Sequence, residues 1–270
     1  MQYKFAAIFS FETNVSKSSQ FENLGLSVGK ICVIMYFVLI KKDFEIMENQ
    51  AVLRAQGIKK TYEGGTSAEV LKGIDVEVNA GEFVAILGES GSGKSTLLYI
   101  LAGIDTPTSG TVELVGKSLD TIKDEEMASL RRRDVAFVYQ YDNLVPHLTA
   151  YENITLPLLL DKKKEVDFKD RIITLCNDLG IGDRLNNLPS EMSGGEQQRV
   201  AIARALAIEP KVIFLDEPTG SLDSERGRQV MEILKDINEK HGVALIMVTH
   251  SPAHAEYASR KIIIEDGQIK

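Results

Sequence analysis

A glycine-rich segment in the first half of the chain has the residue types that bind phosphate. It fits the pattern G-x-x-x-x-G-K-[ST], follows an apolar run and opens a helical pattern that reaches Leu101. Glycines let the backbone curl until successive N–H groups point inward, and a helix N-terminus adds positive potential at the same place. The residues predicted to bind phosphate are Gly88, Glu89, Ser90, Gly91, Ser92, Gly93, Lys94, Ser95 and Thr96.

Two residues of this segment have more specific roles. The Lys94 ammonium suits the β- and γ-oxygens of a nucleoside triphosphate, and the Ser95 hydroxyl is a hard oxygen ligand suited to Mg²⁺. An ordinary glycine-rich turn is the alternative interpretation. The apolar strand before the segment and the helical pattern after it favour phosphate binding.

A pair of carboxylates follows a second apolar run. Val212–Leu215 leads directly into Asp216 and Glu217, and Pro218 then bends the chain. Asp216 is placed to hold Mg²⁺, and Glu217 is placed to polarise a water that attacks a γ-phosphate. Exposed loop carboxylates are common, but a buried strand before them and a phosphate loop elsewhere favour the catalytic interpretation.

The apolar periodicity predicts an α/β fold. Ile74, Val76 and Val78 alternate with polar residues, which indicates a half-buried strand of an antiparallel edge sheet. The runs Phe83–Leu87, Val212–Leu215 and Leu245–Val248 are typical of buried parallel strands, whose polar endings should converge in space.

The sequence from about 142 to 199 instead has helical spacing, which predicts an inserted helical subdomain. Thr149 and Glu152 have capping-box spacing, and an apolar stripe runs from Phe168 to Leu179 before Gly180. A further helix after Ser224 should end near Gly242, and the pair Asp266-Gly267 predicts a terminal hairpin.

Composition excludes several classes of protein. The 270 residues are 44% apolar and 26% charged, as in ordinary globular domains. A net charge of −8 argues against general nucleic-acid binding, so no nucleic-acid partner is expected. The two cysteines, Cys32 and Cys176, are too few for a disulfide framework and are expected to be unpaired.

The N-terminal region differs from the rest of the chain. Residues 1–46 carry no motif, and the apolar run Ile31–Ile40 is about half the length needed to span a membrane. We expect neither a transmembrane span nor a signal peptide there. Met47 is a hypothetical native start, which would make residues 1–46 an extension and residues 47–270 the functional domain.

A third motif identifies a family resemblance. Ser193, Gly194, Gly195 and Glu196 precede a helical pattern, and here the chain resembles the ATP-binding-cassette (ABC) ATPases, whose signature is LSGGQ or a near variant. Met192 replaces the usual Leu, and Glu196 replaces the commoner Gln. Ser193 should cap a helix whose first N–H groups, unobstructed at the glycines, form a second anion site.

The resemblance covers residues 52–270 and implies a P-loop NTPase (RecA-like) fold. The family pattern has a parallel core sheet, an antiparallel β subdomain and the inserted helical subdomain. By resemblance, Tyr62 stacks on adenine, Gln140 touches Mg²⁺ and signals to a membrane subunit, Ser221-Leu222-Asp223 crosses a dimer interface, and His250 contacts the γ-phosphate. Glu196 belongs to the implied nucleotide site of the opposite chain.

The resemblance also implies a function. Two copies would enclose two ATP·Mg²⁺ between the phosphate loop of one chain and the Ser193–Gly195 segment of the other, and hydrolysis would open the pair and drive a permease. The segments 81–86, 107–110 and 217–223 resemble the bacterial lipoprotein-release, macrolide-efflux and bacitracin-type ATPases and the cell-division ATPase. The implied location is the cytoplasmic face of the cell membrane, peripheral to it.

Two other roles remain open at this point. A cassette ATPase of DNA repair or of ribosomes is disfavoured because the chain has neither a long coiled coil nor a second cassette. A cassette that gates a cell-wall hydrolase or a sensor kinase through a membrane partner would have the same sequence features. The transported molecule cannot be deduced because the ATPase does not contact it.

Overall fold

The computed structural model describes residues 51–63, 68–141 and 143–270. The predictions for residues 1–46, Cys32, Ile31–Ile40 and the start at Met47 lie outside these residues. In the part of the chain that is described, no helix has the length and apolar character needed to cross a membrane.

A six-stranded sheet forms the centre of the domain, with the order β10-β9-β3-β8-β7-β6. Neighbours pair in parallel from β9 to β6, and β10 is antiparallel to β9. The predicted strands at 83, 212 and 245 are adjacent, and β7 and β8 are buried at every position. The strands are β3 (Phe83–Leu87), β6 (Val135–Val138), β7 (Val212–Asp216), β8 (Ala244–Val248), β9 (Arg260–Glu265) and β10 (Gln268–Ile269).

A second, four-stranded antiparallel sheet has the order β2-β1-β4-β5. The alternation predicted at residues 74–78 is confirmed, since Ile74, Val76 and Val78 are buried between exposed neighbours in edge strand β2. The apolar face packs in one core with α1 and one side of the central sheet. The strands are β1 (Ala51–Tyr62), β2 (Ala68–Asn79), β4 (Ser109–Leu114) and β5 (Lys117–Ser118).

Helices pack in the apolar cores on both sides of the central sheet. They are α1 (Lys94–Leu101), α2 (Asp124–Arg133), α3 (Ala150–Leu160), α4 (Lys169–Asp178), α5 (Gly194–Ala207), α6 (Ser224–His241) and α7 (Pro252–Ala255). The predicted end near Gly242 is confirmed, since this residue caps α6 in the left-handed region at φ 62°. The turn before β10 contains Asp266 and Gly267, also at positive φ, as predicted for the hairpin.

Residues 143–199 contain α3, α4 and the first part of α5. Thr149 and Glu152 form a reciprocal capping box at α3, and Phe168, Ile172 and Leu179 are buried in the core shared by α3, α4 and α5. Helix α5 continues to Ala207, so residue 199 lies within a helix and marks no break. Cys176 is buried and free, and burial raises the pKa of its thiol to about 12.

Candidate functional site

The phosphate loop connects β3 to α1, as its sequence predicted. Gly93 caps α1 in the left-handed region, at φ 101°, and its carbonyl accepts from the Leu97 N–H at 2.9 Å. A Cβ at Gly93 would lie 2.8 Å from Leu71 Cδ2, and one at Gly88 would lie 2.2 Å from the carbonyl oxygen of Ile264. The loop therefore passes its neighbours at distances that only glycine permits.

Lys94 turns its side chain back across this loop. It is 8% exposed, and its ammonium donates to the carbonyl oxygen of Glu89 at 2.6 Å. A cation is thus held inside a curl of backbone at a helix N-terminus, which is the arrangement expected for phosphate.

Asp216, at the end of β7, faces the first two turns of α1. The Ser95 hydroxyl donates to its Oδ1 at 3.1 Å, which confirms that the phosphate loop and the acidic pair converge. The Tyr99 hydroxyl donates to Oδ2 at 2.7 Å. The carboxylate is 8% exposed and has a partner on each oxygen. Burial, with a contribution from Asp216, raises the pKa of Tyr99 to about 12.

Glu217 lies next to His250, where β7 and β8 end. Its backbone is left-handed at φ 48°, and its N–H donates to the carbonyl oxygen of Val248 at 3.0 Å. The Glu217 side chain is 16% exposed, and its Oε2 lies 2.9 Å from His250 Nδ1. The His250 side chain is 73% exposed, so it can turn toward a bound group without breaking a packed core.

Glu217 and His250 line an open cleft of about 510 Å³, and His254 lines the same cleft. The ring Nδ1 of His254 lies 2.9 Å from the Thr219 hydroxyl, and burial lowers the pKa of this imidazole. His254 is one turn beyond His250 and was not predicted as a site residue.

Tyr62, the predicted adenine contact, is held by two neighbours. Its hydroxyl donates to Asp105 Oδ2 at 2.8 Å, and the Lys60 ammonium lies 4.8 Å from its ring centroid. Lys60 also pairs with Asp105 Oδ1 at 2.8 Å. The residue remains 46% exposed, so a fixed aromatic surface is available to a planar ligand.

The Ser193 segment begins α5 with the predicted cap. The Ser193 hydroxyl accepts from the Glu196 N–H at 3.4 Å, and Glu196 Oε2 accepts from the Ser193 N–H at 2.8 Å. Glu196 Oε1 accepts from Arg184 Nε at 2.8 Å. The hydrogen bonds from Arg184 first, and from Ser193 next, lower the pKa of Glu196 to about 2.

The segment after Glu217 contacts Gln140 and passes close to the Ser193 segment. The Ser221 hydroxyl donates to the carbonyl oxygen of Gln140 at 3.4 Å. A Cβ at Gly220 would lie 2.9 Å from Gln140 Nε2, and one at Gly194 would lie 3.8 Å from Leu222 Cδ2. In the described residues no hydrogen bond or ion pair joins 88–96 to 193–196, so each phosphate-binding segment lacks the other as a direct partner.

Comparison with known proteins gives the family directly. Residues 71–220 match the ABC transporter family model. The chain belongs to the ABC transporter family. It is an ATP-binding ATPase of that family, as the sequence predicted.

Relatives of this ABC ATPase include an ATP-binding protein of a lipoprotein-releasing system and a macrolide export protein. It is 50% identical over 218 residues to the lipoprotein-releasing system ATP-binding protein LolD of Aquifex aeolicus, covering 81% of this chain and 96% of the relative. It is 47% identical over 224 residues to the macrolide export ATP-binding/permease protein MacB of Brucella melitensis, covering 83% of this chain and 34% of that protein.

Solved ABC cassettes have the same fold. The dimeric bacterial ABC transporter cassette MJ0796 matches with a TM-score of 0.74 at 38% identity, covering 81% of this chain and 96% of that one. The same cassette in a dimeric post-hydrolysis state, bound to ADP and Pi, matches with a TM-score of 0.72 at 37% identity, over 81% of this chain and 96% of that one. The predicted P-loop NTPase fold is confirmed.

Several residues of the ABC ATPase site were not predicted from the sequence. Tyr99 follows Ser95 by four residues on one helix, so helical spacing alone would place both hydroxyls on one side. Asp105, Arg184 and His254 gave no such signal, because the side-chain partner of each lies 12 or more residues away along the chain.

Proposed function

We propose that this ABC ATPase drives a membrane permease through ATP-dependent pairing of two copies of the chain. The observation that carries the proposal is that two segments suited to phosphate, 88–95 and 193–195, occur in one chain and make no hydrogen bond with each other among the described residues. A second copy would supply the missing half of each site. The dimeric cassettes of the same fold support this arrangement.

ATP would be bound mainly by the phosphate loop. The loop N–H groups and the Lys94 ammonium would hold the phosphates, and the exposed ring of Tyr62 would stack on adenine. The Ser193 cap and the glycines after it would hold the γ-phosphate from the opposite chain. Glu196 would support that cap, because both of its oxygens are already bonded to Ser193 and Arg184.

The donor set fits a magnesium ion. Ser95 Oγ and Asp216 Oδ1 are oxygen ligands 3.1 Å apart, and the Gln140 side chain, the third expected ligand, packs at Gly220. Magnesium bound there would offset the negative charge of the phosphate oxygens.

Glu217 would be the general base for the attacking water. Its carboxylate is at the rim of the cleft, and His250 at 2.9 Å is placed to orient it and to contact the γ-phosphate. Loss of the γ-phosphate would remove the group that both chains hold, so the pair would open. The segment 220–223 contacts Gln140, and Leu222 Cδ2 would lie 3.8 Å from a Cβ added at Gly194, so this segment would link the hydrolysis site to the Gln140 region and pass close to the Ser193 segment.

The direction of transport is proposed from the relatives. LolD and MacB are named for lipoprotein release and macrolide export, which favours export, efflux or lipoprotein release. Antimicrobial-peptide resistance rests on the sequence resemblance alone. The chain would then work on the cytoplasmic face of the cell membrane, bound to an integral permease.

Purification of the chain from its native membranes tests this proposal. A tagged Glu217→Gln variant, isolated with ATP, should bring down a multi-span permease, and the same preparation with Lys94→Ala added should bring down less of it. Recovery of a membrane-anchored cell-wall hydrolase or a sensor kinase in its place would assign a gating role. If no integral membrane protein is recovered, both the transport role and the gating role would be contradicted.

A further inference from the structure

Tyr99 lies outside the phosphate-binding motifs, but its hydroxyl contacts the same carboxylate as that of Ser95. It lies four residues after Ser95, so one face of α1 presents two hydroxyls to the end of β7. Its hydroxyl donates to Asp216 Oδ2 at 2.7 Å, while Ser95 donates to Oδ1 at 3.1 Å. The nearly buried carboxylate is therefore held at both oxygens by one helix.

The two hydroxyls differ in what they can do when a metal ion binds. The Ser95 oxygen is itself an expected ligand, so its contact with Asp216 competes with metal binding. The Tyr99 hydroxyl donates to the other oxygen and has no expected role as a ligand. It can therefore keep the carboxylate plane fixed throughout the reaction cycle.

Aromatic packing fixes the Tyr99 ring. Its centroid lies 5.8 Å from that of Phe137 on β6, and Phe137 stacks at 6.2 Å on Phe214, which precedes Asp216 by two residues on β7. Phe137 also lies 4.3 Å from Tyr139, which directly precedes Gln140. The Tyr99 ring is thus packed on a residue of β6, the strand that leads to Gln140, and that residue is packed in turn on β7.

We propose that Tyr99 is a positioning residue that holds Asp216 in the orientation needed to bind the divalent metal of the ATP site. The proposal rests on the proposed function of Asp216. Outer partners of metal ligands typically change metal affinity by 10-fold or more when they are removed, because the ligand loses its fixed orientation. Removing the hydroxyl of a purely structural tyrosine would change the stability of the protein without changing its metal affinity.

Tyr99→Phe removes the hydroxyl and keeps the ring against Phe137. Binding of Mn²⁺ would be measured by electron paramagnetic resonance in the full chain carrying Glu217→Gln, saturated with ATP. We expect the dissociation constant for Mn²⁺ to rise about 10-fold. Nucleotide binding in EDTA should stay within about twofold of the parent, since no metal takes part.

Tyr141→Phe is the matched control, because it removes a hydroxyl from a tyrosine that is 70% exposed. It should leave Mn²⁺ affinity unchanged. Equal Mn²⁺ affinity in Tyr99→Phe and its parent would overturn the inference, as would an equal loss in Tyr141→Phe or a matching loss of nucleotide binding in EDTA. If the parent itself binds no Mn²⁺ with ATP, the proposed metal site of Asp216 fails instead.

Discussion

At the scale of single residues, the site consists of charged groups that already have partners. Lys94 is held by the carbonyl oxygen of Glu89, Asp216 by two hydroxyls, Glu217 by His250 and Glu196 by Arg184. Partners of this kind fix side-chain orientation before a ligand binds, which reduces the entropy lost on binding. These partners therefore restrict the orientations open to the side chains of the site.

Glu217→Gln tests the role of the base. The amide cannot accept a proton from water, so we expect kcat for ATP hydrolysis to fall about 100-fold or more, with ATP binding kept. Glu239→Gln, on the exposed face of α6, is the control and should leave kcat unchanged. Full ATPase activity in Glu217→Gln would remove the catalytic assignment.

Arg184 offers a test of charge balance at the Ser193 segment. Arg184→Ala would leave the Glu196 carboxylate uncompensated beside the expected γ-phosphate, and we expect ATP-dependent pairing in the Glu217→Gln background to weaken about 10-fold. Adding Glu196→Gln should restore pairing, because it removes the unpaired charge. Light scattering would measure the dimer fraction. A double variant as weak as Arg184→Ala alone would show that charge is not the cause.

At the scale of elements, the ends of parallel strands determine where the chemistry lies. β3, β7 and β8 are neighbours, so the phosphate loop, the acidic pair and His250 meet at one edge of the sheet. The Thr249 N–H donates to the carbonyl oxygen of Ile86 at 3.1 Å, which joins the ends of β8 and β3. Ligand binding beyond the carboxyl ends of such strands follows from this geometry.

Gly88→Ala tests how closely the loop passes β9. A methyl group would lie 2.2 Å from the Ile264 carbonyl oxygen, so the loop would have to shift, and we expect ATP affinity to fall about 10-fold or more. Gly116→Ala is the control for positive φ, since it lies at φ 71° with no atom within 4 Å of the added methyl. Isothermal titration calorimetry would measure the ATP affinity of both variants. Unchanged ATP binding in Gly88→Ala would contradict the packing argument.

The elements that the sequence predicted are those with a strong local signal. Buried runs such as Val212–Asp216 and the caps at Thr149 and Ser193 are specified by neighbouring residues, and the structure contains each of them. The contacts of Asp105 with Tyr62 and of Arg184 with Glu196 depend on how distant segments pack. No periodicity encodes such pairings, which is why Asp105 and Arg184 were not predicted.

At the scale of the whole molecule, one chain contains two unlike segments that we propose to bind phosphate. The first includes Lys94 and adjoins the acidic pair, and the second begins α5 in the helical region. In a symmetric pair of chains, the first segment of each copy would face the second segment of its partner. The pair would therefore form two identical sites. Exchange of ATP for ADP would then change the number of contacts between copies, which is how hydrolysis could move a bound permease.

Mixing two inactive variants tests this claim most directly. Lys94→Ala removes the phosphate-loop cation, and Ser193→Arg blocks the second segment, so each variant alone should lack ATPase activity. In a mixed pair both defects fall in one site and the other site is wild-type. Random pairing should therefore restore up to about a quarter of wild-type ATPase activity at equal concentrations. No recovery at any mixing ratio, with both variants folded, would contradict a site shared between two chains.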